Sequence, residues 1–183
     1  AYKPAVDVPK AENLRDRREG RPGGRIPPGV LFLMGALDVQ GNRLEWAVYG
    51  FDRHMTQYAI DGGIVIGDTN LDPVWDELDP LVRRTWPDAW GREVAPTCWG
   101  IDTSFRTQAV YRWVRRHAAL QAPRIMALDG RAKWGLPPIG SPTKQDVDFE
   151  GRKIGEVQIW PVGTWDLKSE IATALKLTEQ GPS

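Results

Sequence analysis

A short apolar segment, VLFLMGAL at residues 30–37, constrains the fold of this sequence more than any other part of it. Pro27-Pro28 precede the segment, which is far too short to cross a bilayer. A short apolar run bounded by turn-forming residues is typical of a strand that is buried on both faces of a sheet. Asp38 follows the run directly. We therefore predict a central strand that ends in a carboxylate.

Asp38 is the first candidate functional residue. A carboxylate at the tip of a buried strand is costly unless it is paired or binds a metal ion. The tips of central strands in open α/β sheets are also where ligands bind. After Asp38, Gln40-Gly41-Asn42 predicts a turn into a second strand, because apolar residues alternate with other side chains from Leu44 to Tyr49.

The composition narrows the classes of function. A chain of 183 residues is most simply one domain with a sizeable core. Its 24 basic and 24 acidic residues give a formal net charge of zero, so any affinity for nucleic acid would depend on local patches. One cysteine and two histidines exclude a disulfide framework and a Cys/His zinc cluster. No signal peptide and no membrane-spanning run are visible.

The N-terminal part differs in composition from the rest. Residues 1–28 are rich in Pro, Gly and charge, and they contain few apolar residues to bury. This pattern predicts a flexible arm or linker from a preceding domain, with residues 29–183 as the folded domain. The chain starts at Ala rather than Met, which suggests an excised domain or a trimmed product.

The first half of the folded domain should form an antiparallel three-strand meander followed by a helix. Residues 55–68 predict the third strand, interrupted at Gly62-Gly63, and tight turns join all three strands. Asp72-Pro73 then predicts a helix start, with Asp72 as the N-cap. One face of this helix should lie in the core, because apolar residues recur at helical spacing at Trp75, Leu78, Val82 and Trp86.

The second half alternates strands and helices. A short strand over residues 96–104 contains a second late carboxylate, Asp102, and a helix should follow from Thr107 to Leu120. In that helix His117 is expected to be structural or a C-terminal cation rather than a catalyst. Residues 124–128 predict another strand, which precedes a Gly/Pro-rich loop. A hairpin around Glu150-Gly151 leads to the last helix, which opens at Thr164 with Asp166 in its first turn.

Two strand-end carboxylates, Asp38 and Asp102, suggest a metal site. If their strands are parallel neighbours, both side chains leave the sheet at the same edge, and Asp166 could join them. Oxygen-only ligands favour hard cations such as Mg²⁺ or Mn²⁺, and a pair of such ions can cleave phosphodiesters. Any one of these Asp residues could instead be a turn or capping residue. The third ligand has other candidates, namely Glu45, Asp68 and Asp129.

Basic residues in the second half are candidates for contact with a phosphate backbone. Near the Gly/Pro-rich loop the candidates are Arg131, Lys133 and Lys144. Arg152 and Lys168 complete the set. Trp134 lies among the basic loop residues and could stack on DNA, whereas most of the nine tryptophans are expected in the core. Because the net charge is zero, we expect DNA binding to be weak and strongly dependent on salt.

Four segments carry a resemblance to a known family: LDVQGNRLEWAVYGF, GDTNLDPVWDEL, WGIDTSFRTQAVYRWVRR and WPVGTWDLKSEI. From Val30 to Leu177 the sequence resembles the nuclease domain of the large terminase subunit of tailed phages, in the lambda-like GpA family. The resemblance implies an RNase H/RuvC-like α/β fold, a mixed sheet with flanking helices, and a Mg²⁺- or Mn²⁺-dependent endonuclease. It implies Asp38 and Asp102 as metal ligands, and a last acidic ligand from the final helix, where Asp166 stands.

The same resemblance implies a biological setting. Such a nuclease cuts concatemeric double-stranded viral DNA during packaging, in the cytoplasm of the host cell. Its partners would be the terminase ATPase domain, the small terminase subunit and the portal protein, with no membrane involved. The G-x-x-x-x-G-K-[ST] motif of an ATPase motor does not occur in this sequence.

Two other interpretations stay open. The chain could be an RNase H-like DNA-binding or assembly module that does not cleave, and metal titration would distinguish it from a nuclease. It could also be another RNase H-like nuclease such as a junction resolvase, which should prefer four-way junctions to linear duplex.

Overall fold

Alternating and apolar segments of the sequence pair into one large mixed sheet. A computed structural model describes residues 9–18, 20–120 and 123–176. The strands are β1 Val30–Val39, β2 Arg43–Asp52, β3 Gln57–Ile66, β4 Trp86–Pro87, β5 Glu93–Val94, β6 Cys98–Asp102, β7 Arg124–Arg131, β8 Thr143–Phe149 and β9 Arg152–Gly163. The helices are α1 Ala11–Asp16, α2 Asp72–Asp76, α3 Leu78–Leu81, α4 Thr107–Arg116 and α5 Thr164–Ala174.

The order of strands in the seven-stranded sheet is β3-β2-β1-β6-β7-β9-β8. β1, β2 and β3 form the antiparallel meander, and β1, β6, β7 and β9 run parallel to one another. β8 pairs antiparallel with β9 at one edge, while β4 and β5 form a separate two-stranded ribbon. This arrangement confirms the predicted mixed α/β sheet with flanking helices and is consistent with an RNase H-like fold.

The core lies on one face of the sheet, beneath α2, α3 and α4. Trp99 of β6 is fully buried and donates its indole N–H to the carbonyl oxygen of Val82 at 3.2 Å. In α4 Trp113 packs against Trp75 of α2, with ring centroids 6.2 Å apart. We name this side of the sheet the covered face and the other side the open face.

The prediction that the first strand is buried on both faces is wrong. In β1 Leu33, Leu37 and Val39 are buried on the covered face, whereas Met34 and Ala36 are exposed on the open face. Among the described residues, β1 is therefore covered on one face only, although its composition is apolar on both faces.

The predicted helix from Asp72 to Trp86 is also interrupted. α2 ends at Asp76, α3 covers only Leu78–Leu81, and Trp86 lies in β4. Pro80 explains the break, because it cannot donate to the carbonyl of Asp76 and its ring clashes with that carbonyl. The predicted core positions are nevertheless all buried: Trp75, Leu78, Val82 and Trp86.

Three smaller boundaries also differ from prediction. Asp72 is the first helical residue of α2 rather than its cap, and Leu71 takes the N-cap position. α4 ends at Arg116 instead of Leu120, with His117 as its C-cap. The strand predicted to end near residue 128 continues to Arg131.

The last part of the N-terminal segment packs on the domain. Gly24 donates its N–H to the carbonyl of Ile60 at 2.8 Å, and Ile26 donates to that of Pro87 at 3.0 Å. Ile26 is buried in the core. The division between arm and domain at residue 28 stays a prediction. Residues 1–8 and 19 of the predicted arm lie outside the described residues.

Within the described residues, no helix is long and apolar enough to cross a membrane.

Candidate metal centre

Asp38 and Asp102 lie side by side at the ends of adjacent strands. β1 and β6 are parallel, and Leu37 is level with Ile101. The next residues, Asp38 and Asp102, therefore both point to the open face, since Leu37 and Ile101 point to the covered face. Both carboxylates are partly exposed. The condition set by the sequence analysis, that the two strands are parallel neighbours, is met, whereas a metal role for the two residues stays a prediction.

Glu45 belongs to the same row of carboxylates. It lies directly opposite Asp38 in the antiparallel pair of β1 and β2. Directly opposite residues share a face, with Cβ atoms about 4.5–5.5 Å apart. Glu45 also accepts a hydrogen bond from Nε of Arg43 at 2.7 Å, so it already has a cationic partner. The row therefore runs from Glu45 through Asp38 to Asp102 on the open face.

Local hydrogen bonds orient the two strand-end carboxylates. Gln40 donates its side-chain amide to Oδ2 of Asp38 at 2.5 Å. Ser104 donates its backbone N–H at 3.1 Å and its hydroxyl at 2.8 Å to Oδ1 of Asp102. The second oxygen of each carboxylate accepts no hydrogen bond from the described residues. Each residue therefore has one oxygen held in place and one available to a ligand.

Asp129 points away from this row. In the parallel pair of β6 and β7, Asp102 is level with Leu128, so the next residue, Asp129, faces the side of α4. The carboxylate affects Tyr111, a residue of α4. Burial raises the pKa of the Tyr111 hydroxyl, and the negative charge of Asp129 nearby raises that pKa further. Asp129 itself accepts a hydrogen bond from Nε of Arg131 at 3.0 Å.

Asp166 lies in the first turn of α5, as predicted, and it holds a loop. Its Oδ2 accepts the backbone N–H of Gly135 at 2.8 Å. The helix starts on the open-face side, because a Cβ at Gly130 would lie 3.2 Å from the methyl group of Thr164. Asp68, by contrast, accepts two hydrogen bonds from Asn70 in a local turn. These hydrogen bonds leave a metal-ligand role for Asp166 or Asp68 as a prediction.

The described residues hold no group of three His, Cys, Asp or Glu side chains placed to bind a metal ion. Two neighbouring carboxylates with oxygen donors suit a hard divalent cation such as Mg²⁺ or Mn²⁺. The pair Asp38 and Asp102 therefore has the ligand chemistry that such an ion prefers. A third carboxylate would have to move closer to this pair to complete a site of three ligands.

The basic candidates are spread over both ends of the parallel strands. Arg131 ends β7 and Lys133 is exposed just after it, near the strand ends that carry the carboxylates. Lys144 pairs with Glu156 at 3.4 Å. Arg152 lies seven residues before Ile159 in β9, which is about 23 Å along an extended strand. Ile159 is level with Ala127, so Arg152 lies toward the end of the parallel strands opposite to the carboxylates. Lys168 is carried by α5.

Trp134 and His117, both considered in the sequence analysis, contact other side chains of the domain. Trp134 packs edge-on against Trp165, with centroids 5.4 Å apart, and stays partly exposed. His117 is buried, with Nδ1 2.9 Å from the carbonyl of Trp113 and Nε2 3.2 Å from Asp79. The structural role predicted for His117 is consistent with these contacts.

Arg106 is a further residue of interest, and no sequence pattern singles it out. It takes a left-handed backbone conformation, with φ 53°, immediately before α4. Its Nε is buried and has no hydrogen-bond partner among the described residues. The sequence carries no sign of this conformation, because arginine has no preference for a positive φ.

Comparisons with known proteins agree on one relationship. A family model described as the endonuclease domain of the terminase large subunit gpA matches residues 1–183. The terminase large subunit of Escherichia phage lambda is 25% identical over 178 residues, covering 94% of this chain and 25% of that protein. The terminase large subunit of Enterobacteria phage P21 is 24% identical over 119 residues, covering 64% of this chain and 18% of that protein. The chain thus spans about a quarter of the length of the lambda relative.

Proposed function

The chain belongs to the family of terminase large subunit gpA endonuclease domains, and from this premise we propose that it is a metal-dependent nuclease that cuts double-stranded viral DNA. Its substrate would be the concatemers present during genome packaging. The observation that supports metal dependence most strongly is the adjacency of Asp38 and Asp102 on one face, at the ends of two parallel strands.

The proposed roles of the side chains follow from their contacts. Asp38 and Asp102 would hold Mg²⁺ or Mn²⁺, and Gln40 and Ser104 would keep the two carboxylates from rotating. A bound pair of such ions supplies activation of water and stabilisation of the leaving oxygen. Excess negative charge in the row would repel a phosphate in the absence of the cation, so the acidic residues alone make a poor DNA surface.

The third ligand is proposed to be Asp166. It is partly exposed, it lies at the start of the helix on the open-face side, and its bond to Gly135 links it to the loop after β7 rather than to the core. Glu45 is the second choice, since it is directly opposite Asp38 but is bound to Arg43. Asp166→Ala should therefore reduce Mn²⁺-dependent cleavage far more than Asp68→Ala or Asp129→Ala.

In the virus, the proposed partners are the terminase ATPase domain, the small terminase subunit and the portal protein. The site of action would be the cytoplasm of the host cell. These partners would supply affinity and sequence preference that a domain with zero net charge lacks.

Cleavage of supercoiled plasmid tests this function. The chain is incubated with plasmid and Mn²⁺, Mg²⁺ or EDTA, alongside Asp38→Asn and Asp102→Asn. Nicking or linearisation should occur with either metal, stop with EDTA, and be absent in both variants, because an amide is a poorer ligand than a carboxylate. Full activity in both variants would remove the metal assignment.

A second candidate function is a DNA-binding module that does not cleave. The observation in its favour is that no three carboxylates converge among the described residues. DNA binding with no cleavage in Mn²⁺, by a chain that also fails to bind Mn²⁺, would establish this second function instead.

A further inference from the structure

A cleft with two arginines opens near the end of the sheet at which β1 and β6 finish. It has a volume of about 390 Å³ and lies between the loop after β3 and the first turn of α4. Its walls include Thr69, Asn70, Arg106, Thr107, Gln108 and Arg112. None of the lining residues is acidic, and the two guanidinium groups are the charged groups that line the cleft.

The cleft is close to both strand ends that carry the carboxylates. Thr69 donates its hydroxyl to the carbonyl of Gln40 at 2.7 Å, which ties the first wall to the turn that follows Asp38. On the second wall, Arg106 comes four residues after Asp102. A polymer chain bound over the ends of β1 and β6 would therefore pass the cleft.

Arg106 is held at a cost that the fold does not explain. A left-handed conformation is unfavourable for a residue with a side chain, and a buried N–H without a partner adds a further penalty. The guanidinium carbon lies 4.8 Å from the centroid of the Phe105 ring, which supports the plane of the group. A buried donor without a partner is rare, and an acceptor supplied by a ligand would satisfy it once the side chain turns outward.

Arg112 adds a second cation of the same kind. It lies further along α4, with its guanidinium carbon 5.1 Å from the centroid of Phe149. Neither Arg106 nor Arg112 forms an ion pair with a carboxylate among the described residues. Other arginines do so, since Arg43, Arg116 and Arg131 each pair with an acidic side chain within 3.0 Å.

We propose that this cleft binds a backbone phosphate of the DNA strand whose scissile phosphate reaches the metal centre. The proposal rests on the function proposed above. A guanidinium matches a phosphate with two parallel hydrogen bonds, and aromatic rings below both arginines favour this planar group over lysine. The first turn of α4 adds a weaker attraction for an anion through its backbone N–H groups.

Fluorescence anisotropy of a labelled duplex of about 20 base pairs tests the cleft. Binding is measured in EDTA, so that cleavage does not interfere, for wild type, Arg106→Gln, Arg112→Gln and the double variant. The double variant should bind about tenfold more weakly at about 0.1 M NaCl. The slope of log affinity against log salt should become shallower by about 0.9 for each phosphate that the variant no longer neutralises.

Arg53→Gln is the matched control. Arg53 is exposed in the turn between β2 and β3, at the other end of β1, and it contacts His54. The same removal of one positive charge there should change affinity less than twofold. Equal weakening by Arg53→Gln and Arg106→Gln, or no weakening by either cleft variant, would overturn the proposal.

Arg106→Gly separates a role in binding from a role in folding. Glycine accepts the positive φ and removes the unpaired Nε, so this variant should melt at a higher temperature and yet bind DNA as weakly as Arg106→Gln. Arg106→Lys should recover part of the affinity. A lower melting temperature in Arg106→Gly together with unchanged affinity would show that the arginine serves the fold, contrary to the proposal.

The two proposals fail in different ways. If wild type cleaves plasmid but the cleft variants bind like wild type, the cleft proposal alone is wrong. If wild type binds DNA through the arginines but never cleaves with Mn²⁺, the nuclease proposal is wrong and the phosphate site remains.

Discussion

The two faces of the central sheet have different roles. On the covered face the strands carry large apolar side chains that are buried beneath α2, α3 and α4. On the open face Met34 is 37% exposed and Ile66 is 80% exposed, and the carboxylates of Asp38, Glu45 and Asp102 lie in a row. The covered face therefore supplies stability, and the open face is where charged groups can be placed without being desolvated.

This difference explains how neighbouring carboxylates are tolerated. Two like charges within a few ångströms would be costly in a buried site, but water screens them where they are partly exposed. A metal ion would relieve the remaining repulsion. The row therefore has a modest cost to folding, while the adjacent strand positions on the other face hold the domain together.

The largest expected effect comes from adjacent residues of β1 that point to opposite faces. Leu33 is fully buried and Met34 is partly exposed. Leu33→Ala should lower the free energy of unfolding by about 2–5 kcal/mol, because it leaves a cavity in the core. Met34→Ala should lower it by about 1 kcal/mol or less. Urea unfolding of both variants measures the contrast.

Equal destabilisation in these two variants would break the comparison of faces. It would mean that other parts of the chain cover Met34 in solution as completely as the helices cover Leu33.

A smaller contrast comes from two glycines, one on each face. A Cβ at Gly35 would lie 2.1 Å from the ring of Trp99, which is fully buried and has no room to move. A Cβ at Gly100 would meet the tip of Leu128 at 2.6 Å, a flexible and partly exposed side chain. Gly35→Ala should destabilise the domain by about 1–3 kcal/mol through overpacking.

Gly100→Ala should cost less than Gly35→Ala, because Leu128 can change rotamer toward solvent. Thermal melting of the two variants, compared with wild type, is the measurement. A larger drop in melting temperature in Gly100→Ala would show that Leu128 is locked in place and that the open face is packed more tightly there than its exposure indicates.

The order of elements could be predicted from sequence because most signals are local. Turn residues and alternation indicate the meander, and the helix start at Thr164 correctly places Asp166 in the first turn of the last helix. The burial of β1 could not be predicted, since the side chains of Met34 and Ala36 are apolar whether or not a helix lies over them. The break in the helix after Asp72 has a sequence signal in Pro80, whereas the apolar spacing indicates one continuous helix.

The site was predictable only in part, for a geometrical reason. Asp38 and Asp102 each end an apolar run, and parallel pairing follows from the topology. Whether Glu45 or Asp129 shares their face depends on register, because a shift of one residue moves a side chain to the other face. The sequence also does not give the distance of Arg152 from the carboxylates along the sheet, or the left-handed backbone of Arg106.

The central claim is that the carboxylates of the open face bind the metal ion and that a carboxylate on the covered face does not. Isothermal titration calorimetry with Mn²⁺ tests this most directly, using wild type, Asp102→Asn and Asp129→Asn, since Asp102 and Asp129 lie on adjacent strands but on opposite faces. We predict that Asp102→Asn abolishes Mn²⁺ binding, and that Asp129→Asn binds Mn²⁺ with wild-type affinity. Abolished binding in Asp129→Asn, with binding retained in Asp102→Asn, would contradict the account.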